Sequence, residues 1–174
     1  MSAVRKVKIP DGVKASFDGT QLRMTGPKGQ LSRTLRFPQI VVTLEGNVVT
    51  IATESSRKEI YAMVGTYEAH TKNMIRGVTE GFEYRMKVVY SHFPIQLKLQ
   101  GNRLEIANFL GEKKARYARI ESGVTAKVAN DEVVLTGIDR ELVGTSAANI
   151  EHATRIRNRD PRVFQDGIYM VQRG

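Results

Sequence analysis

The sequence has no cysteine and no tryptophan. Without cysteine there is no disulfide framework, no thiolate metal site and no cysteine nucleophile, and an intracellular location fits best. Aromatic residues make up only 7% of the chain, and none falls in an RNA-recognition-motif signature, so base-by-base stacking on single-stranded RNA is not expected. No apolar run approaches the roughly 18 residues of a membrane helix, and the opening MSAVRKVKIP lacks the apolar stretch of a signal peptide. The chain is therefore expected to be soluble and cytosolic, without membrane contact. Catalytic vocabulary is missing too: no Gly-x-Ser-x-Gly, phosphate loop or dinucleotide fingerprint follows a strand. His70, His92 and His152 are scattered, with no carboxylate at ligand spacing, which argues against a metal site. Neither an enzyme, a cofactor nor a small-molecule substrate is expected.

What is present is a globular composition of 41% hydrophobic residues over 174 positions, with 27 Lys and Arg against 18 Asp and Glu. The resulting charge of +9 favours an anionic partner through long-range attraction. Divided at Phe82, the halves carry +5 and +4, so the basicity belongs to folded surface and not to a tail. Charge alone does not distinguish an RNA-binding from a DNA-binding protein.

From Val7 to Thr53 the pattern alternates with period two in short segments, at 7–9, 13–17, 21–25, 31–37, 40–44 and 48–53. Turn residues separate them: Pro10-Asp11-Gly12, Asp18-Gly19, Gly26-Pro27-Lys28-Gly29 and Glu45-Gly46-Asn47. This predicts an antiparallel meander. At Ser55 the period changes to 3.6. Ser56 and Glu59 have capping-box spacing, Ile60, Met63, Val64, Tyr67 and Met74 share one face, and Gly77 is a candidate left-handed helix end.

The second half begins again with strands at 85–90, 95–99, 103–107, 115–120, 125–128 and 132–136. Gly19-x-x-Leu-x-Met aligns with Gly101-x-x-Leu-x-Ile, and Gly29 with Gly111, at an offset of 82; Val48-Val49 meets Val133-Val134 at 85, and Val64-Gly65-Thr66 meets Val143-Gly144-Thr145 at 79. A tandem duplication follows. The expected fold is α+β, with two similar domains at 1–82 and 83–174, each an antiparallel β-sheet packed against one α-helix. In the second copy Asp139 is the candidate N-cap, with Leu142, Val143, Ser146, Ile150 and Ala153 inward. Asp160-Pro161 is a helix stop, and Gly167 to Val171 a returning strand.

The second helix leads into Arg155, Arg157, Arg159 and Arg162, with Asp160 and Asp166 as the nearby acids. Planar guanidinium forks bind phosphate oxygens bidentately and stay charged at physiological pH; cations after a helix also complement its dipole. Lys113, Lys114, Arg116 and Arg119 form a second basic run around Tyr117. It suits nucleic acid, and equally a strand alternating between solvent and core. Lys28 sits in a glycine-flanked turn, where glycines permit a tight bend or close approach to a phosphate.

GPKG at 26–29 followed by LSRTL, the duplicated unit, and RNRDPRVFQDGIYMVQR at 157–173 together resemble the universal large-subunit ribosomal proteins of the sixth family, in their archaeal and eukaryotic form. The closing Arg162, Phe164, Asp166, Gly167, Ile168 and Tyr169 are the most specific part; His152 departs from the glutamine expected there. The resemblance covers essentially the whole chain. It implies a non-enzymatic constituent of the cytoplasmic large ribosomal subunit that binds large-subunit rRNA near the factor-binding centre, by the sarcin-ricin loop and stalk base, beside neighbouring ribosomal proteins. On that basis Arg155, Arg157, Arg159 and Arg162 are the cations that meet phosphate, and Phe164 and Tyr169 anchor the segment in the second domain's core. A non-ribosomal basic nucleic-acid-binding protein is the alternative, distinguished by comparable affinity for duplex DNA.

Overall fold

Period-two patterning produces six strands in residues 1–81: β1 (Ala3–Lys8), β2 (Lys14–Phe17), β3 (Gln21–Gly26), β4 (Gly29–Thr34), β5 (Val41–Glu45) and β6 (Val48–Thr53). The computed structural model describes residues 3–160 and 162–174. Hydrogen bonding divides the strands, expected as one meander, into two antiparallel sheets, β1-β6-β5 and β2-β3-β4. The chain doubles back after β4, so β6 pairs with β1 across the full length of the unit. Leu22, Met24, Val49 and Ile51 are fully buried between these sheets and the helix. Each such side chain contributes about 1.5 to 3 kcal/mol by leaving water.

The helix α1 (Lys58–Thr79) buries Ile60, Val64, Tyr67, Thr71, Met74 and Val78 along one stripe. Two sequence expectations about its ends are corrected. The N-cap is Arg57, without a side-chain cap bond, while the Ser55 hydroxyl accepts from the Arg57 N–H at 3.3 Å. Because the helix starts one residue late, Ser56 lies outside the cap position and the Ser56–Glu59 box does not form. At the other end Gly77 is a buried interior residue. The helix continues because Val78, 0% exposed, is part of the core, and its carbonyl accepts from the Lys28 N–H at 2.9 Å. Gly81 takes the left-handed position, φ +74°.

The second unit, residues 82–174, contains β7 (Phe82–Val89), β8 (Gln96–Gln100), β9 (Arg103–Ala107), β10 (Arg116–Arg119), β11 (Val124–Ala129), β12 (Glu132–Gly137), α2 (Arg140–Ala153) and β13 (Gly167–Arg173). Its sheets are β8-β9-β10 and β11-β12-β7-β13. The duplication is explicit: β7, β12 and β11 repeat the order of β1, β6 and β5, and β8-β9-β10 repeats β2-β3-β4. Buried Leu22 and Met24 correspond to buried Leu104 and Ile106, and Val64 to Val143. Gly29 and Gly111 both hold positive φ.

The offset of 85 in the last hairpin is corrected to 84. Buried Val49 and Ile51 match buried Val133 and Leu135, and the hairpin pair Glu45–Val48 matches Ala129–Glu132. A one-residue slip would place core residues on the solvent face. The second copy adds β13, which pairs with the outer edge of β7. Among the described residues no helix is long and apolar enough to cross a membrane.

Candidate nucleic-acid interface

Asp139 caps α2 by accepting from the Glu141 N–H at 2.8 Å, and Val143, Ser146, Ala147 and Ile150 face the core. The helix then stops at Ala153, before the first arginine, so Arg155, Arg157, Arg159 and Arg162 lie on a loop and not on a helix. Pro161, the expected stop with Asp160, lies outside the described residues.

Thr154 fixes where the loop leaves the fold. Its buried hydroxyl donates to the Ile150 carbonyl at 3.2 Å and accepts from the Ile168 N–H at 3.1 Å. One turn back, a Glu151 carboxylate oxygen accepts from the Met170 N–H at 3.0 Å. These bonds hold both ends of residues 155–166 against the sheet. Asp166, only 3% exposed, accepts from the Ser91 N–H at 3.3 Å, so it is an internal anchor and not a neutraliser of the arginines. Ile168 is fully buried. Tyr169 is not a core anchor: it is 46% exposed, and its hydroxyl donates back to the Gln165 carbonyl at 3.1 Å. Alternation along β13 puts Ile168 inward and therefore Tyr169 outward.

Within the loop Asp160 makes the turn. Its carbonyl accepts from the Val163 and Phe164 N–H groups, and its carboxylate accepts from the Arg162 N–H and guanidinium at 2.9 to 3.1 Å. That pairing holds the Asp160 carboxyl below its ordinary value, chiefly through the side-chain bond to Arg162. Arg159 lies over half-buried Phe164, 4.8 Å from the ring centroid, a cation–π contact that fixes the stem. Arg155 and Arg157 are exposed.

The second basic run joins this loop through Arg116, whose central role the sequence did not disclose. Its guanidinium donates to both Glu112 carboxylate oxygens at 2.6 and 2.9 Å, and to the Ala153 and Arg155 carbonyls at 3.0 and 3.1 Å. It also lies 4.3 Å from the Phe109 ring centroid. Arg116 thus satisfies a terminal helix carbonyl and clasps the 112–116 segment to the root of the arginine loop. Its fork is already occupied. Lys113 and Lys114 are exposed on the clasped segment. The Glu112 carboxyl is held down first by its bond to Arg116, with the charges of Arg116 and Arg159 adding to it. Arg119 is exposed on β10 and 3.5 Å from Glu121. Tyr117 shares its outward face while Ala118 is buried.

Lys28 belongs to the first unit. Its turn packs on the end of α1, where a Cβ added to Gly26 would lie 2.6 Å from the Val78 carbonyl oxygen. Here glycine serves close backbone packing, the Lys28 N–H is committed to that helix, and only the ammonium is left to face solvent. Among the described residues no group of three or more histidines and acids is placed to hold a metal.

Comparison with known proteins agrees with this architecture. The family model described as Ribosomal protein L6 matches residues 9–81 and 93–167, once in each unit. The large ribosomal subunit protein uL6 of Methanospirillum hungatei is 58% identical over 173 residues, covering 99% of this chain and 98% of the relative. Those of Methanothrix thermoacetophila and Methanosarcina mazei are 52% and 50% identical, covering 98% and 97% of this chain and 97% and 96% of the relatives. With both repeats matched and the similarity running nearly end to end, the chain belongs to the ribosomal protein L6 family.

Proposed function

We propose that the loop at 155–162, with Lys113 and Lys114 beside it, docks on rRNA phosphates of the large ribosomal subunit near the factor-binding centre. As a member of its family the chain is a non-enzymatic constituent of the cytoplasmic large subunit, which removes the alternative of a non-ribosomal basic protein. The finer reading rests on one observation: the clasp made by Arg116 brings two basic segments, far apart in sequence, to a common root. Arg155 and Arg157 then supply guanidinium forks, Arg159 a fork stiffened by Phe164, and Arg162 a cation shared with Asp160. Arg119 and Lys28 add peripheral charge on their own units.

Folded RNA is recognised through shape, 2'-hydroxyls and phosphates, so a preorganised cationic surface suffices without a stacking code. Two linked modules make the second contact effectively intramolecular and raise avidity. The sarcin-ricin region and stalk base are the expected rRNA neighbours, together with ribosomal proteins of that region; the resemblance of the closing motif supports this placement.

The test is filter binding of the full chain to an rRNA fragment carrying the sarcin-ricin region, with tRNA as competitor. Replacing Arg155, Arg157, Arg159 and Arg162 by Ala should weaken binding and lower the salt slope by about 0.7 to 0.9 for each phosphate that is no longer neutralised. Undiminished binding by the folded quadruple variant would overturn the assignment.

A further inference from the structure

The internal repeat exposes a difference between the two copies. In the second unit the outer edge of β7 is covered by β13; in the first, β1 is the edge of its sheet, paired with β6 on its inner side and with no described strand on its outer side. At an offset of 79, Val4–Lys8 of β1 corresponds to Glu83–Lys87 of β7. The Ile9 N–H donates to the Asn47 carbonyl at 2.8 Å, and the Val88 N–H, 79 residues later, donates to the Asp131 carbonyl at 2.7 Å. Since strand residues alternate their backbone groups between sides, Val4, Lys6 and Lys8 turn theirs outward, as Glu83, Arg85 and Lys87 do toward β13.

Beside that edge lies an open recess of about 680 Å³ between β1 and α1, lined by Lys6, Lys8, Lys72, Ile75, Arg76 and Glu80 among others. At the same offset of 79, Lys72 corresponds to Glu151 and Ile75 to Thr154. In the second unit those two side chains accept hydrogen bonds from β13, Glu151 from Met170 and Thr154 from Ile168. The first unit has a donor and an apolar side chain where the second has acceptors. The recess carboxylate Glu80 is engaged with Arg76 at 3.2 Å, and Lys72 is paired with Glu68 at 2.6 Å. Lys6 and Lys8 add two exposed cations.

We propose that the β1–α1 groove of the first unit is a strand-accepting site, in which an extended acidic segment of a partner polypeptide pairs antiparallel with β1 as β13 pairs with β7. The charge of the rim selects the acid. The open edge selects polypeptide over nucleic acid, because it offers alternating N–H and C=O groups and a phosphate backbone satisfies only the former. This site is independent of the arginine loop.

The probe is a nine-residue peptide alternating Glu and Val, added to the isotope-labelled full-length chain, with amide hydrogen exchange read by NMR. Protection should appear at Val4, Lys6 and Lys8. Lys6→Pro removes an outward N–H at an edge, where proline is tolerated, and should weaken the peptide about tenfold or more. Lys6→Glu with Lys8→Glu should do the same through charge and serves if the proline variant does not fold. Arg157→Ala should leave peptide binding unchanged. Absence of protection at these amides, equal binding by the folded edge variants, or protection by a single-stranded RNA 12-mer and not by the peptide would overturn the proposal.

Discussion

Replacing Arg116 by Met keeps an unbranched side chain at this position and removes the guanidinium that lies over Phe109 and holds the Ala153 and Arg155 carbonyls. Charge-assisted bonds of this kind are worth about 1.5 to 3 kcal/mol each. With the side chain 25% exposed, solvent screening and re-hydration of Glu112 reduce the loss from the pair to about 2 kcal/mol. For a chain melting as one unit this lowers Tm by about 4 to 8 °C, and by about twice that where residues 82–174 melt alone. Calorimetry measures that part. The second readout is rRNA affinity across a salt series. Because the Arg116 fork is committed within the protein, the variant should bind more weakly through loss of loop order while the log-log salt slope stays unchanged. Arg157→Ala should do the reverse, keeping Tm and lowering the slope by about 0.7 to 0.9. A folded Arg116→Met protein with unchanged Tm and a reduced slope would refute the clasp and make Arg116 a phosphate ligand.

Gly26→Ala drives a Cβ to 2.6 Å from the Val78 carbonyl oxygen and should cost about 1 to 3 kcal/mol as overpacking, read as a lower denaturant midpoint; unchanged stability would contradict the tight turn-to-helix packing. Thr154→Val preserves shape but leaves the buried Ile168 N–H without its partner, a loss of about 1 to 3 kcal/mol; faster amide exchange at Ile168 is the specific signature, and its absence would refute the role given to that hydroxyl. The Glu112 carboxyl is lowered in the folded state from its ordinary value of 4.5, so the stability its pairing contributes is fully present above that value and is lost as pH falls through the lower, folded one. Acid titration of Glu112→Gln should therefore show a smaller loss of stability below about pH 4.5 than the parent chain, and identical acid profiles would dismiss the Glu112–Arg116 pair as a contributor.

The duplication was legible because glycine turns and apolar alternation are local signals. Gly29 and Gly111 share a positive φ, and Leu22 and Leu104 share full burial. The repeat slipped by one residue only in the last hairpin, where valines run consecutively and alternation alone leaves Val48 and Val49 interchangeable. Helix ends were harder. Ser56 and Gly77 carry suitable chemistry, but Val78 packing under the Lys28 turn carries α1 past Gly77, and that interaction joins residues 50 positions apart.

The arginines of the loop were visible as a cluster, whereas their organiser was not. Arg116 acts on carbonyls 37 and 39 residues away, and its sequence neighbours give it the look of one more surface cation. Tyr169, expected in the core of the second domain, faces outward for the same reason. Which side of a short strand faces the core depends on its pairing partner, here β7, and the sequence of the segment does not contain that information.

The absence of cysteine from the chain allows the central claim to be tested at a single point. Asn158→Cys, in the middle of the arginine loop, can carry the sole tethered iron chelate in a reconstituted large subunit, and hydroxyl radicals then cut the rRNA backbone nearest the loop. The account predicts strong cuts in the sarcin-ricin region, with a control probe at Asn130→Cys on the β11–β12 turn giving a different pattern. An uncut rRNA backbone around Asn158→Cys, in subunits that have incorporated the protein, would contradict the assignment of this loop to rRNA.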